Sequence, residues 1–177
     1  DAGFSRTMLI SRLSKSSICP GIIKALVLSH EHGDHTKGAR LFADQFKIPT
    51  YSTRVTAQIL MRKKMISDNL ILFEPGSEFE VTGFKVRSFS VPHDAEETVG
   101  FVVSIGSVKI GVATDLGYLS SLCEQRLKGS SILILESNHD VAMQMNSQRH
   151  IRLKKRIIGR NGHLSNESAA DALGKLI

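Results

Sequence analysis

The sequence predicts a layered α/β fold. Three observations predict it. The first part alternates strand-like and helix-like segments, the middle is a run of strand signals broken by turn dipeptides, and the end alternates again. At 177 residues the chain has the length of one domain with a substantial core, and no repeat, low-complexity tract or Gly/Ser/Pro-rich linker divides it. It is therefore read as a single domain over residues 1–177.

The elements follow in order. Residues 22–28 (IIKALVL) are short, apolar and rich in β-branched side chains, the pattern of a buried strand. Residues 36–46 (TKGARLFADQF) read as a helix with Leu41, Phe42 and Phe46 on one face. IPTYS reads as a strand and RVTAQILMRKKM as a helix. NLILF, EFEV, FKVRSFSV, TVGFVVSI and VKIGVAT then read as strands, with Pro75-Gly76 and Gly106-Ser107 marking turns between them. SSLCEQRLKG returns to helix, ILILES to strand and VAMQMNSQRHIRLKKRII to one helix, whose methionines read as core packing. NESAADALGKLI, with Glu167 in its first turn, reads as the closing helix.

Composition narrows the function classes. No apolar run is long enough to cross a bilayer as a helix. The opening DAGFSRTMLI lacks a basic region, apolar core and cleavage site, so no signal peptide is expected. Without an initiator Met, the chain is expected to be a fragment or a processed form. Two distant cysteines, Cys19 and Cys123, with no CxxC, make no disulfide framework and point to a reducing, cytoplasmic setting. The net charge of +6 favours an anionic partner without identifying it.

The chemistry is concentrated in LVLSHEHGDHTKG. His30, His32, Asp34 and His35 are good ligands for zinc, manganese or iron. Residues two apart on an extended segment point the same way, so His30 and His32 can grip one ion. Gly33 lets the backbone bend and turn Asp34 and His35 toward a neighbouring position. This density suggests two metals side by side. Glu31, between the two histidines, is expected to point away from them. The zincin pattern fails because position 34 is Asp, and a zinc finger fails for want of paired cysteines. The alternative is a solvated polar loop.

A metal centre needs further ligands. His93 follows the strand FKVRSFSV, Asp115 follows VKIGVAT, and His163 lies in the NGHLSN loop before the last helix. Each alone is weak, since a lone His is more often a surface or core residue and an Asp before Leu-Gly can be a turn or cap residue. Together they complete two sites in order along the chain.

HxHxDH, followed by a strand-end His, a strand-end Asp and a loop His, resembles the metallo-β-lactamase superfamily over the whole chain. HEHGDHTKG, VPHDAEETVGF, GVATDLGYLS, LESNHD and GHLSNESAA further resemble its YycJ/WalJ branch, whose members are described as DNA exonucleases. The resemblance implies an αββα sandwich with two divalent ions, zinc or manganese, with iron also compatible. His30, His32 and His93 would hold the first ion, Asp34, His35 and His163 the second, and Asp115 would bridge them. The opening DAG is similar to the family's first motif, which would make Asp1 a support for the metal loop. Two divalent ions roughly 3.5–4 Å apart can activate a hydroxide and clamp a phosphodiester, with Asp34 orienting the water. The carboxylate at the bridging position fits phosphodiesterase and thioesterase branches better than β-lactam hydrolysis. Family members carry strands before the DAG motif and elements after the last motif, so the first N-terminal strands and the last C-terminal elements are expected to be missing here.

Two further groups of residues have open alternatives. In related nucleases a residue of the LESNHD loop assists the leaving group. That role carries onto His139, which otherwise caps or packs the next helix. The basic run Arg149, Arg152, Lys154, Lys155, Arg156 and Arg160 either keeps a helix solvated or leads a phosphate backbone toward the metals. Arg152, Lys155, Arg156 and Arg160 are the candidate phosphate contacts. Ser165 and Asn166 either bind a phosphate or cap the last helix.

The expected function is a cytoplasmic dinuclear hydrolase cutting phosphodiesters, with DNA as partner and an exonuclease mode. A phosphodiesterase for a small cyclic or nucleotide substrate is the alternative within the class. A glyoxalase-type thioesterase ranks lower. A non-catalytic metal-containing nucleic-acid-binding module is the alternative from another class.

Overall fold

The computed structural model describes residues 1–177, and its strands form two separate sheets. The chain divides into two compact units: Asp1–Pro75 with Ala95–Glu97, and Gly76–Asp94 with Thr98–Ile177. Both combine helices with a sheet, so the α/β class holds. No helix is long and apolar enough to cross a membrane.

In the first unit, β1 (Leu26–Val27), β2 (Thr50–Thr53) and β3 (Leu70–Phe73) pair in parallel in that order. Parallel neighbours need crossovers, and helices supply them. The connections carry α2 (Gly33–Thr36) and α3 (Ala39–Phe46) between β1 and β2, and α4 (Arg54–Arg62) between β2 and β3. Leu26, Leu28, Phe42, Ile48, Leu60 and Ile66 bury together as this unit's core. Because Leu28 is fully buried, the chain that follows it is anchored at the sheet's end.

The second unit is built on the order β4-β5-β6-β7-β8. β4 (Glu78–Val81), β5 (Phe84–Ser90), β6 (Val99–Ile105) and β7 (Val108–Ala113) form an antiparallel meander. β8 (Ile132–Leu135) joins in parallel after a crossover through α5 (Ser121–Leu127). The closing helix α8 (Asn166–Leu176) sends Ala169, Ala172 and Leu176 into a core with Phe89, Leu116, Cys123, Leu127 and Leu164. Burying a Phe or Leu side chain in this way contributes about 1.5–3 kcal/mol. Three loops leave the same sheet after β5, β7 and β8, and these carry His93, Asp115 and Glu136.

The structure corrects several sequence expectations. An unexpected helix, α1 (Arg6–Lys15), opens the chain, capped by Ser5, whose hydroxyl accepts from the Met8 N–H. Its apolar stripe of Leu9, Ile10 and Leu13 was the overlooked signal. The strand expected over 22–28 shrinks to Leu26–Val27, because Pro20–Ile22 close a 3₁₀ turn through Ile23 N–H to Pro20 O. The helix expected over 36–46 starts earlier and breaks at Gly38. A side chain there would meet the Phe4 carbonyl oxygen at 2.2 Å, so only glycine permits this approach. Of the expected face, Leu41 is exposed, whereas Phe42 is buried and Phe46 packs against the core, joined by Ala39 and Ala43.

The helix expected from Val141 to Ile158 is two helices, α6 (Val141–Asn146) and α7 (Ile151–Ile158). His150 accepts from the Arg152 N–H and caps the second, which ends the continuous helix. Met143 is 76% exposed and Met145 is exposed too, so the VAMQM methionines are not core. Both cysteines are free thiols, Cys19 exposed and Cys123 buried.

Candidate metal centre

Each unit gathers its own set of imidazole and carboxyl groups. In the first, the chain leaves β1 through buried Leu28, Ser29, His30 and Glu31. His32 is the extended residue just before α2, and Gly33, Asp34 and His35 begin that helix. This local turn folds the motif back on itself. The His30 and His32 rings lie 4.6 Å apart and those of His30 and His35 4.3 Å apart, centre to centre. Asp34 is exposed, with Oδ2 3.9 Å from His35 Nε2.

A hydrogen-bonded support fixes these rings. The Ser29 N–H donates to Asp1 Oδ1 at 2.8 Å, and the Ser29 hydroxyl donates to Asp1 Oδ2 at 2.9 Å. That hydroxyl has one proton, so it accepts at 2.9 Å from His30 Nδ1–H. His35 Nδ1 donates to the same Asp1 Oδ2 at 2.9 Å. The Asp1 carboxylate thus sets the tautomer of both imidazoles and turns Nε2 into the lone-pair nitrogen of each.

The second unit reaches the same result from dispersed residues. His93 and Asp115 are buried at the ends of β5 and β7. His93 Nδ1 donates to the Gly162 carbonyl at 3.0 Å. Gly162 has to be glycine, because a side chain would meet the Arg156 and Ile157 carbonyl oxygens at 2.2 Å. His163 Nδ1 lies 2.6 Å from Glu136 Oε1 and 3.4 Å from Asp115 Oδ1. Glu136 Oε2 accepts from the Leu116 and Leu164 N–H groups at 2.9 and 3.1 Å. This one carboxylate therefore ties the Asp115 loop and the His163 loop to the end of β8.

The pair of Glu136 and His163 also has an electrostatic effect. The hydrogen bond to Glu136 raises the His163 pKa above its ordinary value, with Asp115 and Asp94 adding to the shift and burial opposing it. His139 moves the other way: burial lowers its pKa, and the neighbouring His163 adds to that, against Glu136 and Asp140. His139 is 9% exposed, and neither of its ring nitrogens has a hydrogen-bond partner. Its backbone carbonyl accepts from the Asn166 N–H at 2.8 Å.

The residues present fit a divalent ion. His30, His35, His93 and His163 each spend Nδ1 on a protein acceptor, the arrangement that presents Nε2 to a metal. Within the second unit, ligand atoms of His93, Asp115 and His163 lie within 4.8 Å of one another. Imidazole and carboxylate together suit zinc, manganese or iron.

The proposed phosphate contacts are placed less uniformly. Arg156 forms a two-pronged ion pair with Asp94, and Arg160 stacks over the Tyr118 ring at 4.4 Å. Arg152 and Lys155 are exposed on α7. The Ser165 hydroxyl caps α8 by accepting from the Ser168 N–H, and Asn166 Oδ1 accepts from the Ser137 hydroxyl. Ser29 and Glu136 are site residues to which the sequence alone assigns no role. Ser29 adjoins the motif, and Glu136 ends an apolar strand, which is the signal that could have marked it.

Two small α/β units, each with histidines and carboxylates gathered in the loops after its strands, define a candidate metal-binding protein. The profile of the beta-lactamase superfamily domain matches residues 1–177, so the chain belongs to the metallo-β-lactamase superfamily. It is similar to "Exodeoxyribonuclease YycJ" of Bacillus anthracis, with 29% identity over 179 residues, covering 100% of this chain and 68% of that protein. It is equally similar to "Exodeoxyribonuclease WalJ" of Streptococcus pneumoniae, with 29% identity over 177 residues, 98% of this chain and 66% of that protein. The chain thus spans about two thirds of the length of these curated relatives. Among solved structures, the short form of human tRNase Z superposes with a TM-score of 0.67 at 18% identity, covering 94% of this chain and 73% of that one.

Proposed function

We propose that the chain is the catalytic core of a dinuclear metal-dependent phosphodiesterase that trims DNA from its ends. The single observation that carries this is the common state of four histidines, each with Nδ1 held by a protein acceptor. Such uniform presentation of Nε2 has no use in a solvated loop and is what metal ligands require. In this reading His30, His32 and His93 would hold one ion, Asp34, His35 and His163 would hold the other, and Asp115 would serve both. The ions when bound supply Lewis acidity and an activated hydroxide for in-line attack. Asp34 would orient the attacking water through a hydrogen bond. Asp1 and Glu136 hold the imidazoles in one tautomer, so no reorganisation is needed when substrate arrives. His139 is the candidate proton donor to the leaving oxygen, although its burial disfavours the imidazolium that donation needs. Arg152 and Lys155 are the exposed cations that can follow a phosphate backbone.

DNA is favoured by the names of the two curated relatives and by the net charge of +6. The test is digestion of end-labelled duplex DNA by manganese- or zinc-loaded protein beside an Asp34→Ala control. Metal-dependent loss of terminal nucleotides by the wild-type protein alone is expected. Metal-replete protein that cuts neither DNA, RNA nor a simple phosphodiester contradicts the proposal, as does equal cleavage by the variant.

A further inference from the structure

Beside His32 the first unit has a cleft of about 620 Å³, within the size range of small-molecule sites. Val55, Ile59 and Arg62 line it from one face of α4, at spacings of four and three, and Lys63 follows at the helix end. Glu31 lines it as well, although its side chain is almost fully buried. Glu31 Oε1 accepts from the Glu96 N–H at 3.1 Å. Glu31 Oε2 is buried with no hydrogen-bond partner in the protein.

One oxygen would suffice to hold the Glu96 backbone. A second carboxylate oxygen kept from water and given no donor is costly, about 1–3 kcal/mol or more. No group of the protein supplies that donor, and a ligand seated in the adjoining cleft is one source of it. The cleft's charges also matter. Glu31 and Glu96 offset Arg62 and Lys63, so the cleft is unlike a purely cationic phosphate groove. It has an apolar wall, an acceptor and two cations, which together match a nucleoside with an adjoining phosphate.

We infer that this cleft receives the terminal nucleotide of the substrate, with Glu31 accepting a hydrogen bond from its sugar hydroxyl or base amino group. The base lies against Val55 and Ile59, and Arg62 and Lys63 meet the next phosphate. The inference rests on the phosphodiesterase reading and names the part of the substrate that this cleft selects. Glu31 acts as a substrate-positioning residue and takes no proton.

Glu31→Gln is the discriminating variant. Its amide oxygen still accepts from Glu96, while its NH₂ replaces the unpartnered oxygen. Binding of a fluorescent single-stranded oligodeoxynucleotide to metal-free protein is read by anisotropy. KM and kcat on the same strand, hydrolysis of bis(p-nitrophenyl) phosphate and metal content are read on loaded protein. The variant is expected to weaken Kd and KM for the oligonucleotide about tenfold or more, the effect of losing a hydrogen bond to a charged group. Metal content and bis(p-nitrophenyl) phosphate turnover stay at wild-type levels, since that probe has neither sugar nor base. Strands whose end nucleotide lacks the sugar hydroxyl or the base then identify the donor: the one lacking it binds wild-type protein as weakly as normal DNA binds the variant. Unchanged oligonucleotide binding in Glu31→Gln, insensitivity to both altered ends, or a joint fall of metal content and turnover on both substrates overturns the inference. Wild-type protein that turns over bis(p-nitrophenyl) phosphate but neither binds nor cuts the oligonucleotide removes the DNA reading and this subsite together. Inactivity on every substrate removes the phosphodiesterase reading itself.

Discussion

The two units reach the same chemical arrangement by opposite routes. The first packs His30, His32, Asp34 and His35 into one turn after a two-residue strand, and braces them with the Asp1 carboxylate through Ser29. The second spreads His93, Asp115 and His163 over three loops and braces them with Glu136 and a backbone carbonyl. A contiguous motif needs few long-range contacts to be correct. A dispersed set depends on the packing of the whole sheet beneath it. The same imidazole geometry is therefore local in one unit and tertiary in the other.

The largest effect that tests this contrast comes from the core. Phe89 is 1% exposed and sits at the end of β5, one loop before His93. Phe89→Ala is expected to cost about 3–5 kcal/mol of unfolding free energy, measured by urea denaturation, and to lower metal affinity with it. If metal affinity stays at the wild-type level while stability falls by that amount, the second set does not depend on its sheet.

A smaller effect separates the two braces. Asp1→Asn removes the acceptor for both Ser29 Oγ and His35 Nδ1, and Glu136→Gln removes the acceptor for His163. Each is expected to weaken metal binding by about 10–100-fold in competition with a chelating dye. Glu136 is buried and serves two backbone N–H groups as well, so its variant also loses stability. Asp1 is partly exposed, so its variant keeps its denaturation midpoint. Equal losses of stability in both variants would erase the contrast.

The sequence was most legible where chemistry is dense. The seven candidate ligands could be read from HxHxDH, two strand ends and one loop, because few structural tasks put so much imidazole beside apolar runs. Most strands of the meander were legible from their β-branched runs and turn dipeptides. What could not be read depends on contacts between distant residues. The need for glycine at position 38 comes from the Phe4 carbonyl, and the second helix after the split starts at the His150 side-chain cap. Glu31 was expected to face away because neighbours on an extended segment alternate. It reaches the Glu96 N–H, 65 residues later, a partner that no local pattern indicates. Glu136 looked like the end of a strand, and its value lies in Leu116, His163 and Leu164, which no local pattern links to it.

The proposed function requires two divalent ions per chain. Counting the ions bound to the purified chain by inductively coupled plasma mass spectrometry, after loading with manganese or zinc and removal of excess, tests it most directly. The account predicts two ions per chain in the wild-type protein and loss of both from Asp115→Ala. A single ion per chain, or two that survive the loss of Asp115, contradicts it.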